Sequence, residues 1–150
     1  MPSLTLKPDQ PFSLDATLSC GQVFRWERRP DGWWYGVVSD RVMKIRQYKD
    51  TITFFGVPAA FVRRYFSLDL DLDAILSSID HDPFIHASVM QNRGLRLIRQ
   101  PPWECTVSYI CSTNSNIPTI RRRIASIAKK HGRPLEFDGQ TFYSFRNRCR

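Results

Sequence analysis

The chain contains no apolar run long enough to cross a bilayer, and its first residues lack the basic-then-apolar order of a secretory leader. A helical membrane protein is thereby excluded, and the expectation is a soluble, intracellular, monomeric protein without a membrane partner, acting in cytoplasm, nucleoid or nucleus. Its four cysteines, Cys20, Cys105, Cys111 and Cys149, form no CxxC pair and have no histidine at ligand spacing. That pattern argues against a zinc or iron-sulfur site, so neither metal nor cofactor is expected. Cys105 and Cys111 fall within an apolar helical pattern and read as buried, reduced thiols acting as small hydrophobes. His81, His86 and His131 have no serine or cysteine that the sequence places beside them, and read as structural or surface residues. Repeats and low-complexity linkers are also lacking.

What is present is apolar and aromatic material, at 42% and 13% of 150 residues, enough to bury a core. The formal charge of +8 is unevenly spread. Residues 121–150 hold nine Lys or Arg against Glu136 and Asp138, whereas residues 1–120 hold thirteen against twelve acids. Such a concentration can neutralise phosphates and release their counterions. A solvated helix face with a basic tail explains it equally well.

The first half reads as antiparallel strands. Val23–Trp26, Trp33–Val38, Val42–Arg46 and Ile52–Phe55 are β-branched or aromatic runs, separated by Pro30-Asp31-Gly32, Ser39-Asp40 and Lys49-Asp50. Leu14 to Leu18 reads as a short helix before them. After Pro58 the period becomes helical, through Phe61, Val62, Tyr65 and Phe66, then Leu72, Ile75, Leu76 and Ile79, then a helix opened by Asp82 or Pro83. The predicted organisation is an α+β unit over residues 1–80, with its boundary within 56–80, a helical unit over 81–145 and a tail at 146–150. From Arg133 onward, the aromatics Phe142, Tyr143 and Phe145 suggest a connector with one strand.

The stretch from Arg99 to Arg121 carries the most information. Trp103, Val107, Ile110 and Cys111 fall at helical spacing and predict a buried face on a helix that starts after Pro101-Pro102. That helix runs into Cys111-Ser112-Thr113-Asn114-Ser115-Asn116, after which Pro118 opens a second helix headed by Arg121, Arg122 and Arg123. An amide-rich corner followed by cations suits a polyanion.

The string PWECTVSYICSTNSNI, together with SLDATLSCGQVFRW from Ser13 to Trp26, resembles the 8-oxoguanine DNA glycosylases of the helix-hairpin-helix superfamily. Both strings occur in the family's order and at a suitable separation, and the resemblance extends to about Phe145. It implies a curved antiparallel sheet like that of the TATA-binding protein, followed by the first helices of an all-α glycosylase domain. It also implies a role in base-excision repair, with duplex DNA containing oxidised guanine as partner. In the family, the first Asn of the corner enters the space vacated by the flipped nucleotide and contacts the orphaned cytosine, a role that maps to Asn114 with Asn116 in support. A short amide suits that space because it donates and accepts hydrogen bonds and carries no charge to desolvate. Capping of the helix that begins near Ile117 is the competing reading of both asparagines. The family often has another Asn where this chain has Ser115, and some members place a cytosine-reading Arg where it has Thr119. Loss of that donor should weaken discrimination of the opposite base by about 1–3 kcal/mol if nothing replaces it. Arg121, Arg122 and Arg123 are the candidate phosphate contacts.

The resemblance assigns lesion readout to the Gly of GQxFRW, hence Gly21. Oxidised guanine carries a ring N–H that guanine lacks, so a backbone carbonyl aimed there accepts a bond only from the lesion. Glycine permits such close approach, and it equally suits the end of a helix over Leu14 to Cys20. Phe24 and Trp26 read as core residues.

The family's reaction, N-glycosidic cleavage followed by β-elimination, uses a Lys nucleophile and an Asp that lie in a hairpin and helices beyond the matched strings. Lys7, Lys44, Lys49, Lys129 and Lys130 are this chain's lysines, and none stands in a matching context. No catalytic residue is therefore assigned, the chain alone is expected to be inactive, and its ending in RNRCR suggests truncation. Faces normally covered by later helices should then leave Ile110, Ile117, Ile120 and Ile124 exposed and the chain poorly stable. A non-enzymatic basic DNA-binding module and a non-functional fragment are the alternatives.

Overall fold

The computed structural model describes residues 1–145; the tail at 146–150, with Cys149, lies outside the described residues. A five-stranded antiparallel sheet is formed by β1 (Ser3–Thr5), β2 (Trp26–Arg28), β3 (Trp34–Val38), β4 (Arg41–Tyr48) and β5 (Thr51–Phe55), in the order β1-β5-β4-β3-β2. The class is α+β, as expected. Alternation sets its inner face: Leu4, Ile52, Phe54, Met43, Ile45, Trp34 and Trp26 are buried on one side. α1 (Leu14–Ser19) and α2 (Ala59–Tyr65) bring Leu14, Leu18, Val62 and Tyr65 onto that face, joined by Phe66, Leu68 and Ile98.

Helical segments start where side chains supply the missing hydrogen-bond acceptors. Ser13 caps α1, Asp71 caps α3 (Leu72–Ile79), and Asp82 accepts from the Phe84 and Ile85 amides at the head of α4 (Pro83–Gln91). Leu72 is the only buried residue of α3, and α4 buries none. α5 (Pro102–Ser112) and α6 (Ile117–His131) follow as an antiparallel pair, and β6 (Pro134–Phe137) and β7 (Gln140–Tyr143) close the described chain as a hairpin. Among the described residues no helix is long and apolar enough to cross a membrane.

Several expectations need correction. The Val23–Trp26 run is not a strand: β2 begins only at Trp26, because the preceding residues form the bend that leaves the end of α1. Trp26 is core, as expected, whereas Phe24 turns to a second cluster of Cys111, Ile120, Ile124 and Phe145. α5 buries Glu104, Ser108 and Cys111, not the face containing Trp103 and Ile110, which stand in solvent; Cys105 is exposed with them. Ile120 and Ile124 are buried against Cys111 and Phe145, so only Ile110 and Ile117 of the four isoleucines are open. The single strand expected near Phe142 is a two-stranded hairpin. Its loop, Asp138-Gly139, has positive φ at both residues, the type I′ geometry that an Asp-Gly pair favours.

That hairpin returns to the outer face of the sheet. Phe142 stacks on Tyr35 with ring centroids 6.2 Å apart, and Asp138 accepts hydrogen bonds from the Tyr35 hydroxyl and Lys44 Nζ, each at 2.6 Å. Arg29 Nη2 adds a bond to Gln140 at 2.9 Å.

Candidate functional site

Thr113 ends α5, and its amide still bonds the Ile110 carbonyl. Asn114 then takes φ +50, a left-handed conformation that asparagine tolerates better than most side chains. Asn116 returns to extended backbone and its side chain accepts the Thr119 amide at 3.0 Å, which caps α6. The two asparagines therefore differ. The amide of Asn116 is spent on the helix, whereas Asn114 is exposed at the apex and, among the described residues, makes no side-chain hydrogen bond to the protein.

Braces surround the apex. Ser115 Oγ donates to the Thr113 carbonyl at 3.2 Å, and Arg123 Nη1 donates to the Cys111 carbonyl at 3.1 Å and to Ser115 Oγ. Consecutive residues on a helix point about 100° apart, so Arg121, Arg122 and Arg123 cannot share one direction. Arg123 bends back to the corner, Arg122 reaches the Thr119 hydroxyl at 3.2 Å, and Arg121 lines a cleft of about 480 Å³ between α6, the sheet and β7. Thr119 is half-buried, close to the apex.

Gly21 lies one residue beyond the Cys20 cap of α1, with φ +90. A Cβ there would meet nothing within 4 Å, so its backbone conformation, not crowding, requires glycine. Among the described residues no donor bonds its carbonyl. Both readings of Gly21 as a residue are thus compatible: it ends α1 and leaves an acceptor unused.

Two polar contacts that the sequence reading missed join the Gly21 loop to the helical unit, one to α5 and one to the segment that precedes it. Arg25 Nη1 pairs with Glu104 Oε1 at 3.1 Å, with side chains only 11% and 10% exposed. The same carboxylate oxygen accepts the Ser39 amide at 2.7 Å; Arg25 also donates to the Tyr143 carbonyl and lies 4.4 Å over the Phe145 ring. Burial pushes the Arg25 guanidinium down and the Glu104 carboxyl up, and each partner's charge opposes the other's shift. The signal was present: each charge stands among apolar residues, in Phe24-Arg25-Trp26 and Trp103-Glu104-Cys105, where a lone ion would be costly. The second contact is Gln22, whose side chain reaches the segment 96–98. Among the described residues no group of three or more His, Cys, Asp or Glu could hold a metal ion.

The two strings that carry the resemblance are thus parts of one packed unit. The model of the family described as "8-oxoguanine DNA glycosylase, N-terminal domain" matches residues 4–106.

The chain belongs to the 8-oxoguanine DNA glycosylase family.

It is 31% identical over 83 residues to an N-glycosylase/DNA lyase of Saccharomyces cerevisiae, covering 55% of this chain and 22% of that one. Against the N-glycosylase/DNA lyase OGG1 of Arabidopsis thaliana, identity is 24% over 144 residues, covering 89% and 40%. Among solved structures, the Clostridium acetobutylicum 8-oxoguanine glycosylase/lyase in complex with double-stranded DNA containing cytosine opposite 8-oxoguanine superposes with a TM-score of 0.84 at 31% identity, over 89% of this chain and 48% of that one. The chain spans less than half the length of each of these relatives.

Proposed function

We propose that this chain recognises 8-oxoguanine in duplex DNA as the lesion-reading and DNA-holding part of a base-excision DNA glycosylase/AP lyase. Residues 1–80 form its α+β unit and 81–145 the start of its helical unit. A nucleotide must leave the stack before its damaged edge can be read. Asn114 enters the vacated space and meets the orphaned base; Gly21 accepts the ring N–H of the oxidised base; Ser115 and Asn116 shape the apex, and Thr119 borders the opposite base. Arg121 and Arg122 offer charge to the phosphates, while Arg123 stiffens the corner.

The observation that carries this reading is the unspent amide of Asn114 on a corner braced by Arg123 and capped by Asn116, tied to the Gly21 loop through Arg25 and Glu104. Such rigidity matters because a probe held in place loses little freedom on binding. The relative solved with DNA carries cytosine opposite 8-oxoguanine, which is the duplex this reading requires. The chain acts as a monomer and binds without cutting, since none of its lysines stands in the family's nucleophile context.

Fluorescence anisotropy with duplexes containing 8-oxoguanine or guanine opposite cytosine tests the proposal. Tighter binding of the lesion duplex is expected, with the preference lost in Gly21→Ala and overall affinity reduced in Asn114→Ala. Borohydride trapping should yield no covalent adduct. Equal, salt-sensitive binding of both duplexes that survives Gly21→Ala and Asn114→Ala but fails when Arg121, Arg122 and Arg123 are neutralised would instead identify a lesion-independent basic module.

A further inference from the structure

We propose that Gln22 is the positioning residue for lesion readout, aiming the Gly21 carbonyl by clamping the peptide plane that contains it. This inference rests on the assignment of Gly21 as the lesion reader. The Gly21 carbonyl belongs to the planar unit that ends at the Gln22 Cα, so whatever fixes Gln22 fixes the direction of that oxygen. Gly21 cannot fix itself: it has no side chain, and the space around its Cβ position is open.

Every polar atom of the Gln22 side chain is engaged. Nε2 donates to the Thr17 carbonyl at 3.0 Å and to the Arg96 carbonyl at 2.8 Å, with the Cys20 sulfur at 3.3 Å, and Oε1 accepts the Ile98 amide at 2.8 Å. The Gln22 carbonyl accepts Gln100 Nε2 at 2.7 Å. The anchors are themselves buried and hydrogen-bonded. Thr17, Arg96 and Ile98 are buried, the Thr17 hydroxyl accepts the Arg96 amide at 3.2 Å, and the Arg96 guanidinium donates to the carbonyls of Pro11, Ser67 and Leu70. The clamped segment leads through Pro101 into α5, whose far end carries Asn114. Gln22 thereby holds the lesion reader in register with the helix that bears the gap-filling residue, and a glutamine is needed because only an amide donates to two carbonyls and accepts an N–H from one planar head.

The test compares Gln22→Glu and Gln22→Met with wild type in binding to 8-oxoguanine:cytosine and guanine:cytosine duplexes. Gln22→Glu keeps the shape and the acceptor for Ile98 but turns a carboxylate toward two carbonyls. At neutral pH its lesion preference should fall about tenfold, the equivalent of one lost hydrogen bond, with affinity for the undamaged duplex within about twofold of wild type. Toward pH 5 the carboxyl takes up a proton, regains one donor and recovers part of the preference, measured against wild type at the same pH. Gln22→Met should lose the preference at every pH. Gln100→Leu removes only the bond to the Gln22 carbonyl; it should show a smaller loss, about threefold, and it serves if Gln22→Glu does not fold. Wild-type preference in the variants, or a parallel loss of affinity for both duplexes, would overturn the role of Gln22 alone. Binding by wild type without any lesion preference would remove the Gly21 assignment itself.

Discussion

The sheet-bearing half and the helical half of this molecule reach order by different means. On the sheet, Ile45, Ile52, Phe54 and Met43 are essentially fully buried in one cluster with residues of α1 and α2, so most of its apolar residues find their partners within the same half, with Ile98 added from the segment that leads to α5. Among the described residues the helical half has a smaller cluster of its own, Cys111, Ile120, Ile124 and Phe145, and leaves Phe84 85% and Ile110 64% exposed. Its attachment to the sheet leans on polar contacts, above all Arg25 with Glu104 and Gln22 with 96–100. The difference assigns stability to one half and surface to the other. Phe54→Ala should therefore cost about 3–5 kcal/mol in urea unfolding, whereas Ile110→Ala should stay within about 0.5 kcal/mol. Similar losses at the two positions would dissolve the contrast.

Glu104→Ala probes the joint between the halves. It leaves the largely buried Arg25 without its counter-charge and removes the acceptor of the Ser39 amide. Breaking a buried pair from one side costs about 3 kcal/mol, mostly because the remaining charge is uncompensated. Hydrogen exchange should show α5 and α6 losing protection while β3, β4 and β5 keep theirs. Uniform loss across both halves would mean that they unfold as one unit and that the polar joint is no weaker than the core.

This joint also marks the limit of what the sequence discloses. β3, β4 and β5 are legible as β-branched or aromatic runs separated by turn residues, and β5 also alternates into the core, whereas β3 is buried on both faces. α5 is legible as a helix but not in its orientation. Trp103, Val107, Ile110 and Cys111 make an apolar stripe, yet Glu104, Ser108 and Cys111 follow the same helical period, and the second stripe is the one buried because Arg25 waits there. Periodicity identifies a helix; the choice of face depended on an ion pair between residues 79 positions apart. The roles proposed for Asn114 and Gly21 rest on resemblance, and their positive φ values, +50 and +90, are not legible in the sequence. The Asp138-Gly139 hairpin was within reach, since that dipeptide favours a two-residue turn between strands. β1 spans only Ser3–Thr5, too short to show a pattern.

Within the helical half, the two asparagines sharpen the separation of surface from stability. Asn116→Ala removes the acceptor for the Thr119 amide and should cost about 1 kcal/mol. Asn114→Gly touches no internal bond, keeps the left-handed backbone without strain, and should change stability by less than about 0.5 kcal/mol while weakening duplex binding. Paired thermal melts and anisotropy titrations read both axes, and a destabilised Asn114→Gly with unchanged DNA affinity would reverse their assignments. An exposed residue that leaves folding untouched and binding impaired is what a gap-filling probe requires.

The smallest effect concerns the β6–β7 hairpin, which falls within the helical half by sequence but lies on the outer sheet face by contact. Hydrogen bonds from Lys44 and Tyr35 hold the Asp138 carboxyl below its ordinary value. A carboxyl depressed in the folded state binds its proton less readily there than in the unfolded chain. Its contribution is thus fully present above the unfolded value, about 3.9, and is lost as pH falls through that value toward the folded one. Glu104, raised by burial, titrates with the opposite slope, so the whole-protein pH profile mixes the two. Subtracting the profile of Asp138→Asn isolates the hairpin. The variant should be slightly less stable at neutral pH and should converge on wild type only as pH falls from the unfolded value through the lower folded one, where the native aspartate is protonated as well. Nuclear Overhauser contacts between Tyr35 and Phe142 should fade over the same window while contacts among Ile45, Phe54 and Trp34 persist. Simultaneous loss of both sets would show that the hairpin is held by the fold's overall cooperativity and not by this carboxylate.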